Sequence, residues 1–372
     1  MGLQIDVNSA KSAQNKKTIA FGGGIIRRQP IRLGYIRLVD CAPLVVAQEF
    51  GIFRDFDLDV QLSREVGWAS VRDKIVYGEL DASQALGPMA FAISLGLGSL
   101  QCDCVSGLVL NFHGNAITLS NELAQRGVTD ASSLRDEVLR ARDEKVYTLG
   151  VFYNHSSHNF LLRQWLKSGG INPDKEVEMV VLPPNQMVRN LAAGTIDGYC
   201  VGEPWNSLAV QKGVGWTVQV SSELVPGHPE KVLIARREFA DYKAEVHTHL
   251  ISALLEACRF CQDPENRSDI VEMLSQKAYL NCSAELIEPS FSGQYQLSKD
   301  RVSNFSDFNV FSSEDSNEPT RERALWILDG MEEAGQLEGY RLASTKLATR
   351  VFKPEIYQAA CGVAGKLSSA RP

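Results

Sequence analysis

Apolar and polar positions alternate in a way that assigns elements almost from the first ordered segment. IRLGYIRL (31–38) reads as a strand, and the run APLVVAQEFGIF after it has helical spacing, with Asp40 as a candidate N-cap. LDVQLSR (58–64) alternates apolar and polar residues as a second strand does. This β-α-β opening predicts a parallel sheet, because the helix must cross back over the sheet before the next strand begins. Residues 1–29 are polar and Gly-rich without periodicity and read as a flexible leader.

The pattern then repeats. VRDKIVYGELDASQALGP (71–88) and VRNLAAGTIDGYCVGEP (188–204) each run from a short amphipathic helix, through a Gly and an aliphatic-Asp-small turn, into a strand that ends on Gly and Pro. Between them VLNFHGNAITLS (109–120) reads as a strand leaving a first lobe. KVYTLGVF (145–152), HNFLLRQWLKSG (158–169) and VEMVVLPP (177–184) build a second β-α-β, and HPEKVLIARREF (228–239) is the strand that returns. The expectation is an α/β chain of two lobes on one plan, joined by a hinge of two crossings. Lobe one takes 30–117 plus 233–372, and lobe two takes 118–232. The helical stretches 244–263, 267–277 and 321–335 carry apolar stripes that read as core faces, and FSSEDSNEPT (311–320) as a loop.

Composition narrows the function. A chain of 372 residues that is 44% hydrophobic can fill two cores, and 45 acidic against 38 basic side chains argue against a direct nucleic-acid surface. No apolar run approaches the roughly 18 residues of a membrane span, and the N-terminus shows neither a signal-peptide core nor a lipobox cysteine. A cytoplasmic location without membrane contact is the expectation. The eight cysteines are scattered singly through apolar segments, as buried free thiols are. Cys258-Arg-Phe-Cys261, the one C-x-x-C, has no second pair or His spacing and reads as core and surface positions rather than a metal or redox centre. His155 and His158 form H-x-x-H without a converging third ligand, which favours capping or cleft lining over metal. Hydrolase, metalloprotease and phosphate-loop signatures are missing, and Gly22-Gly23-Gly24 lacks a strand-to-helix context. No catalytic residue, metal or cofactor is expected.

In an open α/β sheet, ligands lie beyond the strand C-termini, where helix N-termini present free N–H groups. Leu38-Val39-Asp40, Trp68-Ala69-Ser70 and Gly202-Glu203-Pro204-Trp205 fit that description. A small planar anion needs several N–H donors, one cation and an apolar wall. The candidates are Trp68, His113, the amides near Gly202, and Lys231; Glu203 reads as a helix-start residue favoured by the helix dipole.

These residues sit in longer runs that resemble a known family. IRLGYIRLVDCAPLVVAQEFGIF, GWASVRDKIVYGELDASQALGPM, LLRQWLKSGGINPD, LPPNQMVRNLAAGTIDGYCVGEPW, HPEKVLIARREF and FSGQY are similar to the nitrate/bicarbonate-binding proteins of ABC importers, the NrtA and CmpA group. The resemblance implies a type II periplasmic-binding-protein fold holding an anion between the lobes. The family's tryptophan in W-A-S falls on Trp68, its glycine in G-[ED]-P-W on Gly202, and its discriminating position after H-P-E on Lys231. Lysine there marks the nitrate binders and an acid the bicarbonate binder, so nitrate or nitrite is implied. The chain departs from the family at two points: His113 replaces a glutamine, and a histidine at the start of lobe two aligns with Val151, leaving His155 or His158 as substitutes. Without an export signal, the chain is most similar to the cytoplasmic nitrate sensors of the NasS type. That likeness implies a partner, a NasT-like RNA-binding antiterminator released when nitrate binds. Two other readings compete: an importer's binding protein for nitrate, bicarbonate or sulfonate, and a pyrimidine-precursor synthase-like enzyme, for whose cysteine-rich motif Cys102-Asp-Cys104 is too sparse.

Overall fold

The computed structural model describes residues 19–369 except 22, 23, 27, 28, 315 and 341–343. Residues 1–18 of the expected leader, and Gly22 and Gly23 of the glycine triplet, lie outside the described residues. Within that leader β1 (Ile19–Phe21) and β2 (Gly24–Ile26) pair antiparallel.

The first lobe begins with β3 (Ile31–Ile36), β4 (Val60–Glu65), β5 (Ala82–Leu86) and β6 (Cys104–His113). The chain then moves to a second sheet with β7 (Asn115–Ser120), β8 (Thr148–Val151), β9 (Glu178–Val181), β10 (Gly198–Gly202) and β11 (Gly215–Val220). It returns as β12 (Pro229–Arg236), adds a hairpin of β13 (Gln294–Ser298) and β14 (Arg301–Asn304), and closes the first sheet with β15 (Asn309–Val310).

The two sheets have the orders β15-β6-β12-β5-β3-β4 and β11-β7-β10-β8-β9. Both follow one scheme. The first strand of the lobe lies between its second and third, the crossing strand pairs antiparallel beside the third, and the fourth follows. This shared order accounts for the sequence repeat, whose two copies end in β5 and β10, the third strand of each sheet. β5, β6 and β10 are buried along their whole length, as strands covered on both faces must be, which is why they read as continuous small and apolar runs. Helices cover the faces, among them Ala42–Glu49 and Ala244–Gln262, whose Leu44, Val45, Leu250, Ile251 and Leu254 share one core with Leu33, Leu108 and Leu233 of the first sheet.

Two sequence expectations need correction. The segment 109–120 is not one strand: it breaks at His113 (φ 60°) and Gly114 (φ 82°), so that β6 and β7 belong to different sheets. A left-handed pair is cheap for Gly and uncommon for His, so tertiary contacts hold the bend. Asp40 is also not a helix cap. The chain makes a short 3₁₀ turn over Val39–Cys41 before the helix, and the cap position falls on Cys41 with no side-chain bond, followed by Pro43 in the first turn. All eight cysteines are free thiols, and Cys258 and Cys261 are buried in the helix Ala244–Gln262, as an ordinary core reading requires. Among the described residues no helix is long and apolar enough to cross a membrane, and no cluster of His, Cys, Asp or Glu is suited to a metal.

Candidate functional site

The returning strand β12 sets the site. Its pairing with β6 slips between Pro229 and Lys231 and again between Lys231 and Val232. Such irregularities remove the strict alternation of side chains, so neighbouring residues reach the same interior. Glu230 and Lys231 do this: Lys231 Nζ lies 2.6 Å from Glu230 Oε1 and 2.8 Å from Asp40 Oδ2, and all three side chains are buried. The backbone N–H of Lys231 donates to Asn111 Oδ1 at 3.2 Å in place of a regular ladder bond.

Each lobe supplies part of the surroundings. From the first, Gln84 on β5 donates to Asp40 Oδ1 at 2.6 Å and accepts the N–H of Ile36, which fixes the carboxylate at the mouth of β3. Trp68 opens the helix Trp68–Val76, and its ring centroid stands 5.8 Å from Lys231 Nζ. From the second, Asn115 Nδ2 and Ser157 Oγ donate to Glu230 Oε2 at 2.6 and 2.5 Å, and His158 Nε2 lies 3.7 Å from Glu230 Oε1. Gly202, at the end of β10, approaches from the same side. A Cβ there would lie 3.4 Å from Asn115 Oδ1 and 3.6 Å from Asp40 Oδ2, in ordinary van der Waals contact with both.

Burial and charge oppose each other here. Burial disfavours the Lys231 ammonium, but Asp40 and Glu230 outweigh it and hold the pKa above the ordinary lysine value. Burial likewise pushes Glu230 up, yet Lys231, His158 and His228 bring it down to about 2. For Asp40 burial wins over Lys231 and Gln84, and its carboxyl is raised. His158 and His228 are lowered by burial to about 3 and about 4, so both are neutral imidazoles at pH 7. Several polar atoms around this cluster are buried without a hydrogen-bond partner: Trp68 Nε1, both ring nitrogens of His158, Asn115 Oδ1 and His228 Nε2. Buried polar groups are nearly always satisfied, so several unsatisfied ones beside a buried ammonium leave hydrogen-bonding capacity at this cluster.

The expected site residues separate into two groups. Trp68, Gly202, Lys231 and His158 converge on one point, and the buried Lys231 is not the solvated surface charge that a lone lysine usually is. His113 is engaged elsewhere. Its Nδ1 donates to Asp307 O at 2.8 Å, and its Nε2 accepts the N–H of Gly227 at 2.7 Å, so neither nitrogen is available to a ligand. His155 binds Gln336 through Nδ1 at 2.8 Å, so of the H-x-x-H pair it is His158 that stands at Glu230, with His228 as a second imidazole there. Glu203 accepts the N–H of Ser207 at 3.1 Å in the first turn of the helix Trp205–Gln211, the helix-start role expected of it, and also accepts the Tyr295 hydroxyl. Sequence reasoning placed Asp40 in a ligand-facing segment but gave it the role of a helix cap, and it missed Gln84, Asn115, Ser157 and Glu230. The available signal was the adjacent Glu-Lys pair at the head of the apolar run VLIA, because buried adjacent charges require partners.

Acid–base chemistry at the site is weak. Ser157 is the hydroxyl nearest a carboxylate, but Glu230, held at about 2, is too poor a base to activate it near neutral pH.

The sequence pattern of the NMT1-like family matches residues 26–275. The chain is 39% identical to the nitrate import ATP-binding protein NrtC of Synechocystis sp. over 92% of its own length and 51% of that protein. It is 32% identical to the nitrate/nitrite binding protein NrtA of Synechococcus elongatus over 82% of its own length and 72% of that protein. The crystal structure of the periplasmic nitrate-binding protein NrtA from Synechocystis PCC 6803 superposes with a TM-score of 0.86 at 25% identity, covering 92% of this chain and 91% of that one. The chain spans about half the length of the first curated relatives it matches. The likeness is to binding and import proteins with the periplasmic-binding-protein fold, and it sets aside the synthase-like reading.

Proposed function

Because the chain belongs to the NMT1-like family, among the NrtA/CmpA-like substrate-binding proteins, we propose that it binds nitrate or nitrite between its lobes and closes on the anion. The observation that carries this reading is the buried Lys231 ammonium, flanked by the unpartnered Trp68 Nε1 and His158 ring. In this account the anion takes a hydrogen bond from Lys231, another from Trp68 Nε1 and a third from the N–H tautomer of His158, and lies against Gly202, which presents no side chain to it. His113 does not touch the anion; it ties the first crossing to the second. Lobe two runs between these crossings, and closing draws it against Glu230 through Asn115 and Ser157.

A micromolar dissociation constant corresponds to about 8 kcal/mol, enough to favour one lobe arrangement if affinity differs between the two. Titration of intrinsic tryptophan fluorescence with potassium nitrate, sodium nitrite, bicarbonate and an alkanesulfonate tests the assignment. Saturable signals with nitrate or nitrite at micromolar concentrations are expected. Saturation with bicarbonate or sulfonate alone would replace the ligand.

The finer reading is a cytoplasmic sensor of the NasS type that releases a NasT-like antiterminator on binding. It is supported by sequence resemblance. The second reading, the binding component of an importer, is supported by the transport names of the relatives. Pull-down of the full chain with the antiterminator, with and without nitrate, decides between them: capture that nitrate reverses supports the sensor, and no capture in either condition supports the carrier.

A further inference from the structure

The charges at Lys231 do not balance for an incoming anion. Lys231 already faces two carboxylates, Asp40 Oδ2 at 2.8 Å and Glu230 Oε1 at 2.6 Å, while His158 and His228 beside Glu230 are held neutral by burial. With both carboxylates ionised the cluster carries one net negative charge, and a monovalent anion placed against it would make two. Doubling an uncompensated charge in a site with no solvent access is strongly unfavourable. A proton taken up with the anion returns the cluster to its original charge.

The two carboxylates differ in their readiness to accept that proton. Glu230 keeps three donors: Lys231 Nζ, Asn115 Nδ2 and Ser157 Oγ. Asp40 has Gln84 on Oδ1, but its Oδ2 has only Lys231, the same ammonium the anion must share. Oδ2 also faces Gly202, against which the anion is proposed to lie. The remaining titratable groups packed on this cluster are the Cys41 thiol next to Asp40 and the Cys200 thiol on β10, both raised by burial and neutral, and His113, which is lowered by burial and bound to backbone through both nitrogens.

We propose that Asp40 is a specificity-determining residue of the anion site, carrying on Oδ2 one proton that enters with each anion and donating it as a hydrogen bond to that anion. The inference rests on the anion-binding reading above. A protonated Asp40 releases Lys231 from one of its carboxylates and supplies an O–H donor beside Gly202. An ionised Asp40 repels the ligand. Nitrate affinity therefore falls about tenfold for each pH unit above the Asp40 titration, because one proton is linked to one anion.

Calorimetric titration of the full chain with potassium nitrate at pH 8, in buffers of different ionisation enthalpy, reads the protons taken up per anion. Uptake of up to one proton per anion is expected, with a dissociation constant that tightens from pH 8 to pH 6. In Asp40→Asn, uptake is expected to fall to zero and the affinity to become independent of pH. Difference infrared spectroscopy of the wild type gives a second readout that needs no variant: a carboxylic-acid carbonyl band should appear on nitrate addition. Nitrate binding without proton uptake, and with the same affinity from pH 6 to 8, overturns the proposal and leaves the anion-binding reading intact. Absence of nitrate heat at every pH in that range overturns both.

Discussion

The two ends of the repeated third strand put aspartates to opposite uses. At the entry to β5 and β10, Asp81 and Asp197 do the same structural work. Asp81 accepts the N–H of Arg32 at 2.9 Å, and Asp197 accepts the N–H of Thr148 at 2.8 Å, each tying the third strand to the first of its own sheet. A basic side chain completes each pair, Arg32 on Asp81 and Lys145 on Asp197, and both bases remain more than a third exposed. Burial pushes the Asp81 carboxyl up, but its bonds to Arg32 outweigh this and hold it below the ordinary range. At the exit of the same strands the lobes differ. A Cβ on Gly87 would meet the Ile327 side chain at 2.8 Å and the backbone oxygen of Glu230 at 3.6 Å, whereas the three atoms nearest a Cβ on Gly202 are all polar, from Asn115, Asp40 and Gly114. There the cation is fully buried and polar atoms lack partners. The third strand thus carries a half-exposed ion pair at one end and, at the other end in the second lobe, a buried one bordered by polar atoms without partners.

The largest effect that would test this contrast is expected from Lys231→Met. It removes the cation between Asp40 and Glu230, and breaking a buried pair from one side costs about 3–5 kcal/mol. Urea unfolding should show a loss of that order, with nitrate affinity reduced at least a hundredfold. Trp68→Phe keeps the ring but deletes the unpartnered Nε1–H. A dissociation constant raised about tenfold, equivalent to about 1.4 kcal/mol, with an unchanged melting temperature would identify that donor as a ligand contact. An unchanged affinity would assign Trp68 to packing alone.

His113→Ala should do the reverse. It removes the bonds to Asp307 O and Gly227 N–H, and about 1–2 kcal/mol of stability should be lost. Nitrate affinity should change less than in Trp68→Phe. Asp81→Asn is expected to be the mildest, costing about 1 kcal/mol or less because Arg32 is partly solvated, with no change in nitrate binding. A loss of binding there would mean that the two ends of the strand are coupled.

Stability should also follow the buried imidazoles. His158 and His228, lowered to about 3 and about 4, stay neutral in the folded chain while the unfolded chain binds protons below an ordinary histidine value of about 6.5. The unfolded state then holds more protons, so the urea midpoint should decline as pH falls from about 6.5 toward 4. His228→Gln should flatten part of that decline.

The sequence made the two-lobed plan legible through its repeat, because both copies place a Gly-ended helix and an Asp turn before a buried strand, and local chemistry alone forces that succession. It also pointed to Trp68, Gly202 and Lys231, which lie at strand ends or helix starts. Asp40 was placed in a ligand-facing segment but its role was misjudged: an Asp before an apolar helical run looks like a cap, and in the structure the chain makes a 3₁₀ turn over Val39–Cys41 and its carboxylate meets Lys231 instead. Glu230 was hidden because strict alternation would have sent it to the face opposite Lys231, and the register slips that bring the two together are not written in residue type. His113 failed as a ligand candidate for a similar reason. Its left-handed backbone turns the ring toward Asp307 and Gly227, partners far away in the chain.

The central claim is that the buried Lys231 is the cation that holds the anion between the lobes. Paired calorimetric titrations of the wild type and Lys231→Met with potassium nitrate at pH 7 test it most directly, with circular dichroism to establish that the variant is folded. The account predicts micromolar binding to the wild type and no measurable heat with the folded variant. Equal affinity in the two proteins would contradict it.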